Sequence, residues 1–308
     1  MSALYVYAVA PGTLDASEAH PPPGVAGARV TVERGGPLAA LVSPLDGTDC
    51  DPSAIDERSR DVEWLGARAA EHDRVITWAS DRGAVVPLPL FSLFRDAAGV
   101  RAMLERRGAE LQRMLDAVAG AHEYTVRVYR IDAELAAVVA AHSPELAELA
   151  RRVAAATPGQ RYLLDRKLEQ VRRTEIDRVA DEVASTVFEK LSALARRAER
   201  DPIGGPGDAG VATGSAGGEA QGRAVLNASF LVDTRATDAF RAVLTQARQR
   251  HGAGTADSGS AGRGGGFRFE FTGPWPPYHF VRGSAGTVEP PGPSPAPEGT
   301  AAGARARP

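Results

Sequence analysis

Cysteine is almost absent: Cys50 is the only one in 308 residues. A lone thiol rules out an internal disulfide and a cysteine-built zinc cluster. Its setting, GTDCDP, places aspartates beside it rather than the cationic neighbours that reactive thiols use. An excess of one charge sign is lacking too. Charged residues make up 24% of the chain, yet the net charge is -3, which leaves no electrostatic footprint for nucleic acid or an anionic membrane. Long apolar runs are missing. The uncharged stretch GAVVPLPLFSLF at residues 83–94 is about a dozen residues, broken by prolines, against the roughly 20 that a membrane span needs. The opening MSALYVYAVAPG has no basic segment followed by an apolar core, so no secretion signal is expected. These absences point to a cytoplasmic protein.

Catalytic constellations are missing as well. The Gly-rich stretches contain no Gly-Lys-Ser/Thr, so no phosphate-cradling loop is expected. Gly-Ser-Ala-Gly occurs at 214–217 and 283–286, without the strand–turn–helix context of a nucleophile elbow. None of His20, His72, His122, His142, His251 and His279 pairs with another at i,i+3 or i,i+4, so no helix offers a two-histidine metal face. Glu71-His72-Asp73 cannot aim three consecutive side chains at one point on a helix, and His72 reads as a packing or capping residue. His122-Glu123 reads as a turn position at a strand start rather than an acid/base pair. Glu145 and Glu148 share a helix face with no reason for functional tuning, and the sequon Asn227-Ala-Ser229 falls in a strand. The expectation is a protein that is not an enzyme and uses no cofactor or metal.

What remains is an α+β pattern long enough for two domains. Leu4–Ala10 alternates as a strand, and RVTVE (29–33) with LAALVS (38–43) flank Gly35-Gly36-Pro37 as a hairpin. Asp51-Pro52 is expected to cap a helix running from Ile55 to about Ser80, with Val62, Leu65, His72 and Ile76 on its stripe. The prolines of AVVPLPL (84–90) force an extended path. Asp96 is expected to cap a helix whose stripe runs from Val100 to Val118. EYTVRVYRI (123–131) reads as the next strand. A helical region follows, broken at Thr157-Pro158-Gly159, and from Tyr162 one apolar seam continues through Leu168, Ile176, Val183, Val187 and Leu191 to Leu194. A helix over 160–200 at 1.5 Å per residue would reach roughly 55–60 Å. AVLNASFLV (224–232) and FRFEF (267–271) read as strands around a helix at 238–249 capped by Thr237, with Phe267, Phe269 and Phe271 on one face. Residues 201–222 and 252–266 read as flexible inserts, and the tail 283–308 as disordered.

Aromatics are only 6% of the chain, yet TGPWPPYHF (272–280) holds three of them. Pro274, Pro276 and Pro277 restrict φ and remove backbone donors, which predicts an extended, polyproline-like rod. Trp275, Tyr278 and Phe280 project from it, and each buries on the order of 150–250 Å² when covered. Rings left in water would invite aggregation, so cover is required. Cover by the chain's own domains makes the segment a strap; cover by a partner makes it a ligand.

Several stretches together resemble the gas vesicle accessory proteins of the GvpL/GvpF family. They are LYVYAV (4–9), EHDRVITWASDRGAVVPLPL (71–90), HEYTVRVY (122–129), PGQRYLLDRKLE (158–169), AVLNASFLVD (224–233) and FTGPWPPYHFV (271–281). The family pattern after the proline strand reads Phe-Gly, and here Ser92 stands where glycine is expected. The resemblance implies an α+β protein of two domains. Residues 1–120 would form an N-terminal α+β domain, and 121–272 a modified ferredoxin-like domain with the long helix 160–200. Residues 273–282, carrying Pro274, Trp275, Pro276, Pro277, Tyr278 and Phe280, would form an extended strap that contacts both domains or a partner. It further implies a non-enzymatic accessory role in gas vesicle assembly, with the hydrophobic shell protein and other accessory proteins as partners, in the cytoplasm and on the vesicle. A ligand-binding regulatory protein built on a ferredoxin-like domain is the alternative.

Overall fold

The structure is a computed structural model that describes residues 2–14, 20–203, 222–252 and 265–282. The expected inserts at 201–222 and 252–266 fall largely outside these residues, and the expected tail at 283–308 falls wholly outside them. In chain order the elements are β1 (Ser2–Pro11), β2 (Thr31–Gly35), β3 (Leu38–Asp46), α1 (Pro52–Arg58), α2 (Val62–Ser80), β4 (Val86–Pro87), β5 (Leu93–Phe94), α3 (Ala97–Arg106), α4 (Gly108–Val118) and β6 (Ala121–Arg130). There follow α5 (Asp132–His142), α6 (Pro144–Ala154), α7 (Pro158–Ser192), β7 (Arg197–Arg200), β8 (Arg223–Asp233), α8 (Thr237–His251), β9 (Phe267–Trp275) and α9 (Tyr278–Arg282). Among the described residues, two compact units separate: 2–75 with 88–108, and 76–87 with 109–282.

In the first unit β3 pairs antiparallel with both β2 and β1, and β5 pairs with β1. The expected hairpin closes at Gly36, whose φ of +58° a residue without Cβ adopts freely. Tyr5 to Ala10 of β1 are all buried, so both faces of this strand are covered. The helix expected from Ile55 to Ser80 is two. Asp51 caps α1 through the Ala54 amide, and Asp61 accepts from the amides of Glu63 and Trp64 to start a second helix. That restart turns Val62, expected on the apolar stripe, outward to 83% exposure. The helix after Asp96 is likewise two, α3 ending at Arg106 with Arg107 out of helical geometry, although the stripe from Val100 to Val118 is buried as its spacing predicts.

The second unit is built on a four-stranded antiparallel sheet in the order β7-β8-β6-β9. Its inner face carries Tyr124, Val126, Val128, Leu226, Phe230 and Phe267, which form one core with Leu135, Val183, Val187 and Phe240 of the helices. Phe240 lies 5.3 Å from the Phe230 ring and 6.1 Å from that of Tyr124. Pro158, expected in a break ahead of the helix, instead opens α7, with Thr157 and Gln160 forming a capping box. The helix stops at Ser192, however, and Arg197–Arg200, expected within it, is an edge strand paired with β8. The pairing partner β8 overrides the helical seam there. Thr237 is the first helical residue of α8, with Ala236 at the cap position.

Candidate functional site

The clustered aromatic segment meets the outer face of the second unit's sheet. Its path is not a continuous rod. FRFEF continues as strand through Trp275, the amide of Tyr278 turns back onto the carbonyl of Pro276 at 2.7 Å, and Tyr278–Arg282 closes into a short helix with the Val281 amide donating to the Pro277 carbonyl at 3.3 Å. Gly273 makes the bend: its φ is +118°, and a Cβ there would sit 2.8 Å from the Glu123 carbonyl oxygen and 2.9 Å from Tyr124 Cδ1. Pro276, Pro277, Phe280 and Val281 are buried, Tyr278 is half-buried, and Pro274 is exposed. Trp275, expected to be covered, is 41% exposed, its indole N–H donating to Thr272 Oγ1 at 3.3 Å.

Polar grips hold this segment. The pairing register sets Glu123 of β6, Leu231 of β8 and Arg197 of β7 in one row across three strands. The two outer members bind the α9 backbone with opposite polarity. The Glu123 carboxylate accepts from the His279 amide at 2.8 Å, and Arg197 Nη1 donates to the Phe280 carbonyl at 3.1 Å. Glu123 thereby satisfies backbone donors in the first turn of α9. The Arg197 guanidinium also lies 5.2 Å from the Phe280 ring centre. The next row adds Glu199 and Ser229. His279 Nε2 is 3.0 Å from Glu199 Oε2 and 3.5 Å from Asp201 Oδ1, and Ser229 Oγ donates to Asp201 Oδ2 at 3.1 Å. Burial pushes the Glu123 carboxyl up to about 7, against the opposing pull of the His279 and Phe280 amides.

Of the residues singled out in the sequence, Pro276, Pro277 and Phe280 are buried while Pro274 and Trp275 stay exposed, and the residues that grip the segment were not foreseen. Glu123 was expected at a turn, Arg197 and Glu199 in a helix, and Asp201 in a linker. A charged residue inside the alternation of EYTVRVY was the available signal.

The first unit holds a second polar chain, around His72. Leu88 O can only accept, so His72 Nε2 donates to it at 3.2 Å, and Nδ1 accepts from the Tyr5 hydroxyl at 2.8 Å. Tyr5 in turn accepts from the Phe91 amide at 3.1 Å. Burial holds the His72 imidazole down to about 4, which keeps it neutral. Phe91 has φ +63° and stacks on Trp64 at 5.6 Å, while Ser92 closes the turn onto Pro89 through both its amide and its hydroxyl. Phe91, not the residue in place of the expected glycine, is the left-handed one. His72 packs, as its spacing suggested, and Glu71 accepts from the Ala26 amide and pairs with Arg68.

A third surface lies at the start of α7. Ile176, Val183, Val187 and Leu191 are in the core, whereas Tyr162 and Leu163 are 64% and 68% exposed. Among the described residues no group of three or more His, Cys, Asp or Glu side chains is placed to hold a metal ion, and no helix is long and apolar enough to cross a membrane.

Residues 3–282 match the family described as gas vesicle synthesis protein GvpL/GvpF. Gas vesicle protein L of Streptomyces sp. (strain CB03234) is 31% identical over 259 residues, which cover 84% of this chain and 85% of that protein. Two crystal structures of gas vesicle protein GvpF share the fold of mixed helix and sheet. The one from Anabaena sp. PCC7120 has a TM-score of 0.59 at 15% identity, covering 91% of this chain and 96% of that one. The one from Microcystis aeruginosa has a TM-score of 0.58 at 13% identity, covering 91% of this chain and 98% of that one.

Proposed function

The chain belongs to the GvpL/GvpF family of gas vesicle synthesis proteins, matched over residues 3–282, and from that premise we propose that it is a non-enzymatic assembly factor. It binds the hydrophobic shell protein, shields it until it joins the growing shell, and engages other accessory proteins; it works in the cytoplasm and on the vesicle. An apolar subunit waiting to assemble exposes edges and faces that pair wrongly unless covered. The observation that supports this reading is the start of α7, where Tyr162 and Leu163 stand exposed on a helix whose other end is anchored in the core.

We read the second unit as a modified ferredoxin-like domain. Its connectivity β6–helices–β7–β8–α8–β9 with the order β7-β8-β6-β9 supports this. Pro274, Trp275, Pro276, Pro277, Tyr278 and Phe280 then form its C-terminal strap.

Co-purification of tagged protein with the shell protein tests the assembly reading. Deleting residues 161–199 would remove core residues Ile176 to Leu191 together with β7, so substitution is the sounder approach. The double variant Tyr162→Ser, Leu163→Ser is expected to capture less shell protein. Undiminished capture by the folded variant would remove α7 as the binding surface, and no capture by wild type would remove the shell-protein reading itself.

A further inference from the structure

Three carboxylates, Glu123, Glu199 and Asp201, meet beneath and beside α9. Facing them from β7 is one permanent cation, Arg197, already paired with Glu199 at 2.7 Å. From α9 itself comes His279, whose ring is an ion-pair partner only when protonated. β8 contributes the uncharged Ser229, the adjoining end of β9 contributes Gly273 to Trp275, and β4, which also packs on α9, contributes Val86 and Pro87. None of these last residues ionises. Among the described side chains, full deprotonation therefore leaves three negative charges against one positive charge in a partly buried space, and like charges there repel with little screening.

We propose that the C-terminal segment 276–281 is a proton-governed latch, seated on the second unit while the cluster beneath it holds protons and lifting as they are lost. Lifting bares Phe280 and Val281, both buried when the latch is closed. The contacts match this role. The segment is held on its backbone by Glu123, which accepts from the His279 and Phe280 amides, and by Arg197 at the Phe280 carbonyl, and on its side by the His279 ring between two acids.

The direction follows from proton binding. Seated, the Glu123 carboxyl stands at about 7; lifted into water, it returns to its ordinary 4.5. The seated state thus binds the extra proton, so the stability this group contributes is complete below about 4.5 and is lost as pH rises through about 7. These two values make the equilibrium constant for lifting rise about tenfold between pH 6 and pH 8.

Hydrogen–deuterium exchange of the full chain at pH 6, 7 and 8, corrected for intrinsic exchange, tests the latch. Peptides covering 278–282 are expected to lose about tenfold in protection across this range, while β3 peptides hold theirs. Glu123→Gln keeps the acceptor oxygen without the titration, and its protection in 278–282 is expected to depend much less on pH than that of wild type. Asp201→Asn removes a charge that raises the Glu123 value, so the wild-type midpoint is expected to move to lower pH. It serves also as the second variant should Glu123→Gln fail to fold. Constant wild-type protection from pH 6 to 8, an undiminished pH dependence in Glu123→Gln, or an unmoved midpoint in Asp201→Asn would each overturn the proposal.

Discussion

The amide of His279 donates to the carboxylate of Glu123 at 2.8 Å, across 156 positions of sequence. Replacing Glu123 with Ala removes the acceptor and leaves the first amides of α9 unmatched in a buried place. A loss of about 1–3 kcal/mol is expected. Urea unfolding at pH 6 measures it, and a variant as stable as wild type would mean that the contact contributes nothing.

His72 sets an acid limit on the first unit. Its folded value of about 4 lies below the ordinary 6.5, so the neutral ring's contribution is present above 6.5 and is lost as pH falls through about 4. Hydrogen exchange in β1, corrected for intrinsic exchange, is expected to lose protection over that interval. In His72→Phe, which cannot titrate, the acid slope is expected to flatten even though the bonds to Tyr5 and Leu88 are gone.

At Gly273 any side chain meets backbone. The Glu123 oxygen lies 2.8 Å from the Cβ position, and φ is +118°. Gly273→Ala is expected to cost at least 1–3 kcal/mol, on the order of the strain of such a backbone region. The drop in melting temperature should exceed that of Gly83→Ala, where no atom lies within 4 Å.

Tyr162→Ser with Leu163→Ser separates binding from stability. Both side chains are mostly in solvent, at 64% and 68% exposure. The double variant is expected to unfold within about 0.5 kcal/mol of wild type. A larger loss, read by chemical denaturation, would show that the start of α7 has a packing role.

Periodicity made most of the helices and strands legible, because alternation and three-to-four spacing report which side faces a core. The stripe Val100 to Val118 and the Phe267, Phe269 row are cases. Periodicity did not reveal where a helix pauses. The break before Val62 depends on Asp61 capping a second start, a local event that leaves the apolar spacing almost unchanged. β7 was invisible for another reason: Arg-Ala-Glu-Arg has no strand propensity of its own and is extended only because β8 pairs with it. The aromatic segment announced itself by composition. Its grips did not, since the burial of Glu123 is imposed by residues that arrive more than a hundred positions later. The resemblance named the family, but no spacing could place His279 between Glu199 and Asp201.

The unequal anchoring of α7 has a mechanical consequence. Its root, from Ile176 to Leu191, is fixed in the core of the second unit, while Pro158 to Lys167 form a tip about 15 Å long. A helix fixed at one end behaves as a cantilever. Load taken up at Tyr162 would pass as torque through Leu168 and Val171 to the root at Ile176, and from there to the layer of Val183 and Val187 under the sheet.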